Sequence, residues 1–459
     1  MTLHPVLMDG PGRAPSESSE AYRQLLERLY SLSRRGTKFG LERIRDLLRR
    51  LGHPERAFPT IHVAGSNGKG STSAFLATIL ARSGRKVGLF TSPHLISLTE
   101  RIQFLQGAGL RAISQEELLR AAAEVEAAEP GFGEVSFFEV LTALGLVAFR
   151  SADVDIAVIE AGLGARLDST RVIEPEVAVL TDLSLEHTAI LGDTIEAIAG
   201  EEGQVARPDR PLVMADGPRP AMRVMDRLAE DIGVEEVHRL GREVDLAAHP
   251  DGAFDLDLGS RTLERVRPAL LGQHQGRNAV LAAKAALLVD PGLSDQTLRE
   301  GLETTVWPGR MEIFHREGEP RILLDGAHNP HGARQFARAL GHPRFAGPRH
   351  FVFGVLGDKN APEMLEALAP RARSFALARP GSLRARDPDE LVRLLGDGVG
   401  FEGPVTVAES PSEALAEAKR RAEQDGGWVV VCGSLYLVGD VRAELIGAAE
   451  WGPSPGGAP

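Results

Sequence analysis

Cysteine is nearly missing from this sequence, and so is any excess of positive charge. Cys432 is the only cysteine among 459 residues, so an intramolecular disulfide is impossible, which is typical of a protein kept in a reducing cytosol. The formal net charge is −12 at pH 7, which disfavours nonspecific binding to nucleic acid or to an anionic membrane. We therefore expect a cytoplasmic protein that binds neither, and an anionic ligand would need a local basic pocket.

Long apolar runs are missing as well. The longest strongly apolar stretch, residues 140–149, is too short to span a bilayer. The N-terminal stretch MTLHPVLMDGPGRAPSESSE lacks the basic start and the long apolar centre of a signal peptide. Residues 1–18 and the tail 453–459 are rich in Gly, Pro and Ser, and we expect both to be disordered.

Short apolar runs alternate with helical patterns, which predicts parallel sheets, and the length suggests two domains. The predicted strands are 60–64, 86–90, 155–159 and 177–180, followed after Trp307 by 321–324, 350–353, 374–378, 405–408 and 428–431. Helical patterns cover 362–371 and 411–424. We therefore expect an α/β protein with a large, mainly parallel N-terminal domain (19–303), a linker (304–311) and a smaller Rossmann-like C-terminal domain (312–452).

A glycine-rich turn follows the first predicted strand, in the segment IHVAGSNGKGSTS (61–73). Glycines at 65, 68 and 70 let the backbone approach a phosphate, and a helix predicted from Ser71 to about Arg82 would offer free N–H groups. Lys69 can reach the outer phosphates and Ser71 could support magnesium. Val63 stands where the strict phosphate-loop pattern has its first glycine. The alternative is a glycine-rich turn with an exposed lysine.

Three further polar residues follow predicted strands of the first half. They are Ser92, Glu160 and His187. Ligands of open parallel sheets bind beyond the carboxyl ends of the strands, so these residues could converge near the glycine-rich turn. Oxygen ligands with one imidazole suit magnesium better than zinc. Taken singly, each residue could instead cap a turn, cap a helix or lie on a surface loop.

Ten sequence blocks, in this order, carry a resemblance to a known family. The blocks are GLERI (40–44), VAGSNGKGST (63–72), TSPHLISLTERI (91–102), SFFEVLTAL (136–144), IEAGLGARLDST (159–170), LEHTAILGDTIEAIA (185–199), GQHQGRNA (272–279), WPGRMEI (307–313), LLDGAHNPHGA (323–333) and GSLYLVGDVR (433–442). With them the chain resembles the folylpolyglutamate synthase/dihydrofolate synthase family of the Mur ligase superfamily, from about residue 29 to residue 442.

The resemblance implies an ATP-dependent amide ligase with a P-loop-type N-terminal ATPase domain, expected to be a monomer. Its substrates would be ATP, L-glutamate and a folate or dihydropteroate, and its cofactor Mg²⁺. ATP would phosphorylate a carboxylate, and the amino group of glutamate would displace the phosphate. The ATP contacts implied are Asn67, Gly68, Lys69, Gly70, Ser71, Asn278, Arg310, Asp325 and His328. The metal ligands implied are Ser92, Glu160 and His187, and the catalytic residues are Lys69, His187 and Arg310. Arg310 could otherwise be a surface arginine, and Asp325 a strand-end cap.

The resemblance places the folate near two segments. One comprises Thr37, Lys38 and Phe39, and the other Ser136, Phe137, Phe138 and Glu139. Phe137 or Phe138 could stack on a pterin ring, although at least one of them could be a helix core residue instead. Arg384 could lie near the glutamate site or on a solvated loop.

The chain departs from the family pattern after His187. Relatives commonly read EKAGI, with a lysine that is often carbamylated, whereas this chain reads EEGQV at 201–205 and has Glu202 at the lysine position. We expect Glu202 to replace the carbamate partly as a metal ligand, with a bridging water as one route; the alternative is a solvated helix residue and a lost or weakened second metal site. Two other functions stay open, a same-fold ligase with another carboxylate substrate and a nucleotide-binding regulatory protein. The cell-wall branch of the superfamily is disfavoured, because its loop has Thr where this chain has Gly70.

Overall fold

The computed structural model describes residues 19–33 and 40–447, and it has two α/β domains. The helices are α1 (Glu20–Ser33), α2 (Glu42–Arg50), α3 (Lys69–Arg82), α4 (Gln115–Ala128), α5 (Phe137–Ser151), α6 (Thr188–Leu191), α7 (Ile195–Glu202), α8 (Arg219–Ile232), α9 (Gln273–Val289), α10 (Asp295–Thr304), α11 (Pro330–Ala339), α12 (Ala361–Leu368), α13 (Pro388–Arg393), α14 (Pro411–Asp425) and α15 (Leu435–Ile446). Among these residues, no helix combines the length and apolar character needed to cross a membrane.

The first domain is built on a twisted, mainly parallel sheet. Its strands are β1 (Thr60–Ala64), β2 (Val87–Phe90), β3 (Ile102–Gln106), β4 (Gly109–Ala112), β5 (Ile156–Glu160), β6 (Val177–Leu180), β7 (Leu212–Met214) and β8 (Val237–Arg239), in the order β4-β3-β2-β5-β1-β6-β7-β8. β3 is antiparallel to both of its neighbours, β2 and β4, and all other neighbouring strands are parallel. Val63 of β1 is in register with Glu160 of β5, and Ala64 with Leu180 of β6. The loops after these three strands therefore start at the same edge of the sheet.

Helices cover both faces of this sheet. α3 packs against α9 and α10 over one core, which contains Phe75, Val158 and Leu281. A second core holds α1, α2, α4 and α5 on the sheet through residues such as Tyr22 and Leu141. A small antiparallel sheet, β9 (Asp245–Ala248), β10 (Phe254–Asp257) and β11 (Thr262–Val266), packs beside α9.

The second domain has a six-stranded sheet with helices on both faces. Its strands are β12 (Glu312–Phe314), β13 (Arg321–Leu324), β14 (Arg349–Phe353), β15 (Ser374–Leu377), β16 (Val405–Val407) and β17 (Trp428–Cys432), in the order β12-β13-β17-β14-β15-β16. All neighbours are parallel except β12 and β13. Two separate apolar clusters lie on its faces, one around Phe351 and the other around Val441. The segment 305–311 joins the two domains.

All nine predicted strands are present, each end within one residue of its prediction. They were recognisable because strands buried on both faces read as continuous apolar runs. Sequence analysis missed β3, β4, β7 to β11 and β12, which are short or exposed on one side, as in β4 and β9. The helix predicted from Ser71 begins two residues earlier, at Lys69, because Gly68 ends the turn in a left-handed conformation (φ 93°).

Candidate functional site

A cavity of about 1140 Å³ lies between the two domains, at the carboxyl edges of both sheets. It gathers most of the residues proposed from sequence. Those that line it are Asn67, Gly68, Lys69, Gly70, Ser71, Ser92, Ser136, Phe137, Phe138, Glu139, Glu160, His187, Asn278, Arg310, Asp325, His328 and Arg384. Glu202 is not among the lining residues, and Thr37, Lys38 and Phe39 lie outside the described part of the chain.

The glycine-rich turn forms one wall of this cavity. Lys69 opens α3, and its Nζ donates to the carbonyl of Gly65 at 2.6 Å. Gly68 has a positive φ, and a Cβ there would come within 2.5 Å of the Asn278 side chain. Both the positive φ and the closeness of the Asn278 side chain therefore require glycine at position 68. The free N–H groups of the first turn of α3, with the Lys69 ammonium beside them, make this wall suited to phosphate oxygens.

Ser92, Glu160 and His187 lie along the same wall. The backbone N–H of Ser92 donates to Glu160 Oε2 at 3.1 Å. Glu160 is 3% exposed, and burial raises its pKa to about 7 against the charges of Lys69 and Arg310. Burial lowers the pKa of His187 to about 4, which keeps its imidazole neutral and able to act as a ligand.

This donor set fits a hard divalent cation. A buried carboxylate with a raised pKa would be stabilised in its charged form by a cation, and hydroxyl, carboxylate and neutral imidazole can all coordinate one. Within residues 19–33 and 40–447, no group of three His, Cys, Asp or Glu side chains is gathered for a metal. A magnesium ion here would therefore need the serine hydroxyl, water and ligand oxygens to complete its shell.

Glu202 lies beneath the glycine-rich turn. It is 3% exposed, its Oε2 accepts from the backbone N–H of Gly65 at 3.1 Å, and the N–H of Gly164 also donates to it. Burial raises the pKa of this carboxyl, and the charge of Lys69 opposes the shift. The alternative of a solvated helix residue is therefore wrong, because the carboxylate is used to hold two backbone segments together. Its role as a metal ligand stays a prediction.

The second domain contributes an arginine and an aspartate. Asp325 follows β13 and is buried; its carboxylate accepts from the backbone N–H groups of Met311 at 3.0 Å and Ala327 at 2.9 Å. Burial raises its pKa, while Arg310 opposes the shift. Asp325 therefore positions the chain around Arg310, and the guanidinium packs over Gly326, where no side chain would fit.

A buried ion pair holds the joining segment to the second domain. Arg442 of α15 is fully buried and donates to both carboxylate oxygens of Glu312, with Nε to Oε2 at 2.9 Å and Nη2 to Oε1 at 3.1 Å. Glu312 Oε2 also accepts from the N–H of Gly309 at 2.8 Å. The WPGR turn is thus fixed to α15, which explains why GSLYLVGDVR and WPGRMEI belong to one site.

Sequence analysis missed a cluster that joins the two domains across the cavity. Glu186 accepts from Asn329 Nδ2 at 2.7 Å and from Lys359 Nζ at 3.1 Å, and its Oε1 lies 3.2 Å from His328 Nε2. Asn329 Nδ2 also donates to Asn67 Oδ1 at 3.0 Å. Burial alone would raise the pKa of Glu186, but the hydrogen bond and charge of His328 and the charge of Lys359 together hold it well below its usual value.

Two weak signals could have pointed to this cluster. Glu186 directly precedes His187, and Asn329 directly follows His328 in the DGAHN block. Lys359 had no such marker, because only the relative placement of the domains brings it to Glu186.

The far end of the cavity is aromatic. Ser136 and Glu139 form a capping box at the start of α5, with the N–H of Ser136 donating to Glu139 Oε2 at 2.7 Å. Phe137 stacks on Tyr30, with ring centroids 5.7 Å apart, and Phe138 lies 6.0 Å from Phe90. Both Phe137 and Phe138 are only partly buried and pack against the core while facing the cavity. Ser136 and Glu139 therefore have a structural role whatever binds beside them.

Arg384 lies at the opposite end, on the second domain. Its side chain is 64% exposed, and Nη1 lies 3.7 Å from Asp358. It both lines the cavity and contacts solvent, so the structure leaves both sequence interpretations of this residue open.

Comparison with known families and relatives agrees with this geometry. The Mur ligase middle domain matches residues 63–286, and the Mur ligase glutamate ligase domain matches residues 309–435. A dihydrofolate synthase/folylpolyglutamate synthase of Bacillus subtilis is 34% identical over 441 residues, which cover 93% of this chain and 99% of the relative. The chain belongs to the folylpolyglutamate synthase/dihydrofolate synthase family.

Members of this family differ in length. A probable bifunctional folylpolyglutamate synthase/dihydropteroate synthase of Haloferax volcanii is 37% identical over 437 residues, which cover 92% of this chain but only 50% of that relative. The chain thus spans about half the length of this relative. Among solved structures, Mycobacterium tuberculosis folylpolyglutamate synthase complexed with ADP has 31% identity and a TM-score of 0.85, covering 94% of this chain and all of that one. The family fold therefore extends over nearly the whole described chain.

Proposed function

We propose that this protein is an ATP-dependent amide ligase that adds L-glutamate to a folate, with dihydropteroate as a second acceptor. One observation carries the proposal: a single cavity joins a phosphate-binding turn, a buried carboxylate beside it, an arginine from the second domain and an aromatic pocket. The names of the relatives support the choice of acceptor. Lys69, Glu160, His187, Arg310 and Asp325 are all present in the cavity wall, which favours an active ligase over a regulatory protein that has lost catalysis.

ATP would bind with its phosphates at the first turn of α3. The N–H groups of Gly68 to Ser71 and the Lys69 ammonium neutralise phosphate charge, and Arg310 approaches from the second domain with its planar set of donors. Asn278 Nδ2 donates to Gln275 at 2.9 Å, which orients its amide beside Gly68. The γ-phosphoryl group is thereby held between cations from two domains. Transfer of this group depends on such alignment and charge stabilisation more than on covalent help.

Transfer of the phosphoryl group to the acceptor carboxylate gives an acyl phosphate and ADP. The amino group of glutamate then attacks the acyl carbon, and phosphate leaves from the tetrahedral intermediate. Ser92, Glu160 and His187 would hold a magnesium ion, which would supply positive charge beside the phosphates. Glu202 fixes the glycine-rich turn from below, and the Glu186 cluster holds the second domain against that turn. By keeping the two domains together, this cluster would help to exclude water from the cavity.

The glutamate would bind on the second-domain side, where His331, Arg334, Lys359 and Arg384 line the cavity. An amino acid with two carboxylates needs cations such as Arg334, Lys359 and Arg384 within an otherwise acidic protein, whereas burial lowers the pKa of His331 and keeps it neutral. We include in this proposal a monomeric, cytoplasmic enzyme, because one chain supplies both walls of the cavity and the only cysteine, Cys432, is a buried free thiol.

A substrate panel tests the function. Purified protein is incubated with ATP, magnesium and L-glutamate, with either dihydropteroate or a reduced folate as acceptor, and products are read by mass. The expected result is an acceptor heavier by one glutamyl residue, together with ADP and phosphate formed only when acceptor and glutamate are both present. ATP turnover without any glutamyl product for either acceptor would contradict the folate assignment and favour a same-fold ligase with another carboxylate substrate.

A further inference from the structure

A buried arginine in the cavity wall has no acidic partner among the described residues. Arg101 ends the 3₁₀ turn Leu98–Arg101 that precedes β3; it is 9% exposed and lines the cavity. Its Nε donates to His94 Nδ1 at 2.9 Å. Among residues 19–33 and 40–447, no carboxylate pairs with the guanidinium, and its two terminal nitrogens have no hydrogen-bond acceptor. Burial of a guanidinium without an acidic partner is costly, so an anion bound in the cavity would stabilise this cation.

The nearest acidic groups are already engaged elsewhere. Glu100 accepts from the backbone N–H groups of Leu95 at 2.8 Å, Ile96 at 3.1 Å and Ser97 at 2.9 Å. Glu160 accepts from the N–H of Ser92 and faces the magnesium position proposed above. Burial lowers the pKa of Arg101, and the charges of Glu160 and Glu100 oppose that shift without forming an ion pair. The terminal nitrogens therefore remain available to the cavity.

Arg101 lies against an aromatic surface and also near the residues proposed to bind the phosphates. Its guanidinium carbon lies 5.6 Å from the centroid of Phe137, which in turn stacks on Tyr30. Arg101 is also close enough to Glu160 for the two charges to interact, and both residues line the cavity. It therefore lies between the aromatic pocket and the wall that would hold the γ-phosphate. If an aromatic ring of a ligand stacks on Phe137 and its carboxylate points toward that wall, the carboxylate lies next to Arg101.

We propose that Arg101 binds the acceptor carboxylate that is phosphorylated, through its two terminal N–H groups. This inference rests on the proposed function and adds to it a substrate-binding residue and the part of the substrate that it contacts. Guanidinium and carboxylate form planar paired hydrogen bonds, which hold one carboxylate oxygen in a defined direction. That oxygen attacks the γ-phosphorus, the new O–P bond forms as the bond to the bridging oxygen of ADP breaks, and Arg101 keeps its protons throughout. Its charge offsets repulsion between two anions.

The first experiment compares Arg101→Gln with wild type. Arg111→Gln is the matched control, because Arg111 also lies over a phenylalanine, Phe104, at 4.5 Å, but pairs with Glu117 away from the cavity. Acceptor binding is measured by calorimetry in the presence of magnesium and a non-hydrolysable ATP analogue. For Arg101→Gln we expect at least a tenfold rise in acceptor Kd and a similar or larger fall in kcat. We expect the nucleotide Kd of Arg101→Gln to stay within twofold of the wild-type value, which would show that the variant is folded.

Arg101→Lys keeps the charge and loses the paired geometry, so it should recover part of the acceptor affinity and little of kcat. It also preserves the test if Arg101→Gln fails to fold. Acceptor affinity and kcat that are unchanged in both variants would overturn the assignment.

A second comparison identifies the carboxylate. A folate monoglutamate is compared with its α-carboxamide analogue, in which only the non-reacting carboxylate is removed. If Arg101 binds the reacting carboxylate, Arg101→Gln loses the same factor with both acceptors. A loss that disappears with the α-carboxamide would overturn the proposal, because Arg101 would then hold the α-carboxylate. Wild-type protein that binds no folate or pteroate would refute the proposed function together with this inference, whereas wild-type turnover with unaffected variants would refute the inference alone.

Discussion

Trp307 lies directly against Gly70, so that a methyl group at position 70 would come within 3.0 Å of Cζ2 and Nε1 of the indole. Gly70 is in the first turn of α3 and Trp307 is in the segment that joins the domains. Helical backbone accepts any ordinary residue, so the contact with Trp307, not the local conformation, requires glycine here. The phosphate-binding turn and the joining segment are thus in contact before any ligand binds.

We predict that Gly70→Ala lowers kcat/KM for ATP by about tenfold or more, because relief of the contact moves either Trp307 or the start of α3 by several tenths of an ångström. Steady-state kinetics with varied ATP measures the effect. Trp307→Phe lacks the two atoms concerned, so the double variant should recover most of the loss. Equal activity of Gly70→Ala and wild type would show that the contact does not constrain the turn.

Lys69→Ala should leave the fold intact, since within the described part of the chain its ammonium donates only to carbonyls of the turn, at Gly65 and Ser66. We expect kcat to fall by about 10²- to 10³-fold, because the transferred phosphoryl group loses a positive partner. Single-turnover formation of ADP measures the step, and the thermal unfolding midpoint serves as the control for folding. Near-normal turnover in folded Lys69→Ala protein would exclude this turn as the site of ATP.

Glu186→Gln removes the negative charge that draws His328 and Lys359 of the second domain toward the first. We expect ATP affinity to change little and kcat to fall about 10- to 100-fold. The reason is that a charged hydrogen bond between the two domains is lost, and the domains must align for catalysis. Small-angle scattering with saturating ligands should show a less compact protein than wild type. Glu196→Gln, on the exposed side of α7, is the control. Wild-type kcat and compaction in Glu186→Gln would mean that other contacts hold the domains.

Glu202→Gln separates two roles of one carboxylate. A glutamine oxygen can still accept from Gly65, so the fold should survive. If Glu202 also acts on the metal, the variant needs several times more magnesium for half-maximal activity, and bicarbonate has no effect on wild type or variant. Its neighbour Glu201, which pairs with Arg166 on the surface, provides the control variant Glu201→Gln. An unchanged magnesium requirement would limit Glu202 to holding the turn.

Asp440 makes stability depend on pH. Burial raises its pKa to about 6 from 3.8, against the hydrogen bond from the N–H of Gly381. Because the folded-state value is raised, its contribution is fully present below about pH 4 and is lost as pH rises through about 6. Asp440→Asn keeps an acceptor for Gly381 without the charge, so it should stabilise the protein by at most about 3 kcal/mol at pH 8 and by nothing at pH 4. Denaturant unfolding at both pH values measures this; an equal effect at both would point to packing instead.

The sequence alone determined the elements whose cause is local. Buried parallel strands such as Ile156–Glu160 read as apolar runs, and the turn from Gly65 to Lys69 is recognisable because glycines and a lysine follow such a run. The parallel arrangement then places residues that follow neighbouring strands, such as Ser92 and Glu160, at one edge, which is why they could be proposed together.

Only the tertiary structure decided what happens between elements far apart in the chain. Lys359 meets Glu186 across 173 residues. Arg101 becomes a buried cation without an acidic partner among the described residues only once the chain folds and Phe137 lies against it. The sequence favoured Glu202 as a metal ligand and left a solvated residue as the alternative, which the tertiary structure excludes because the carboxylate is buried and accepts from the N–H of Gly65. Such contacts depend on how two sheets and their helices pack, and no local pattern of charge or hydrophobicity encodes that placement.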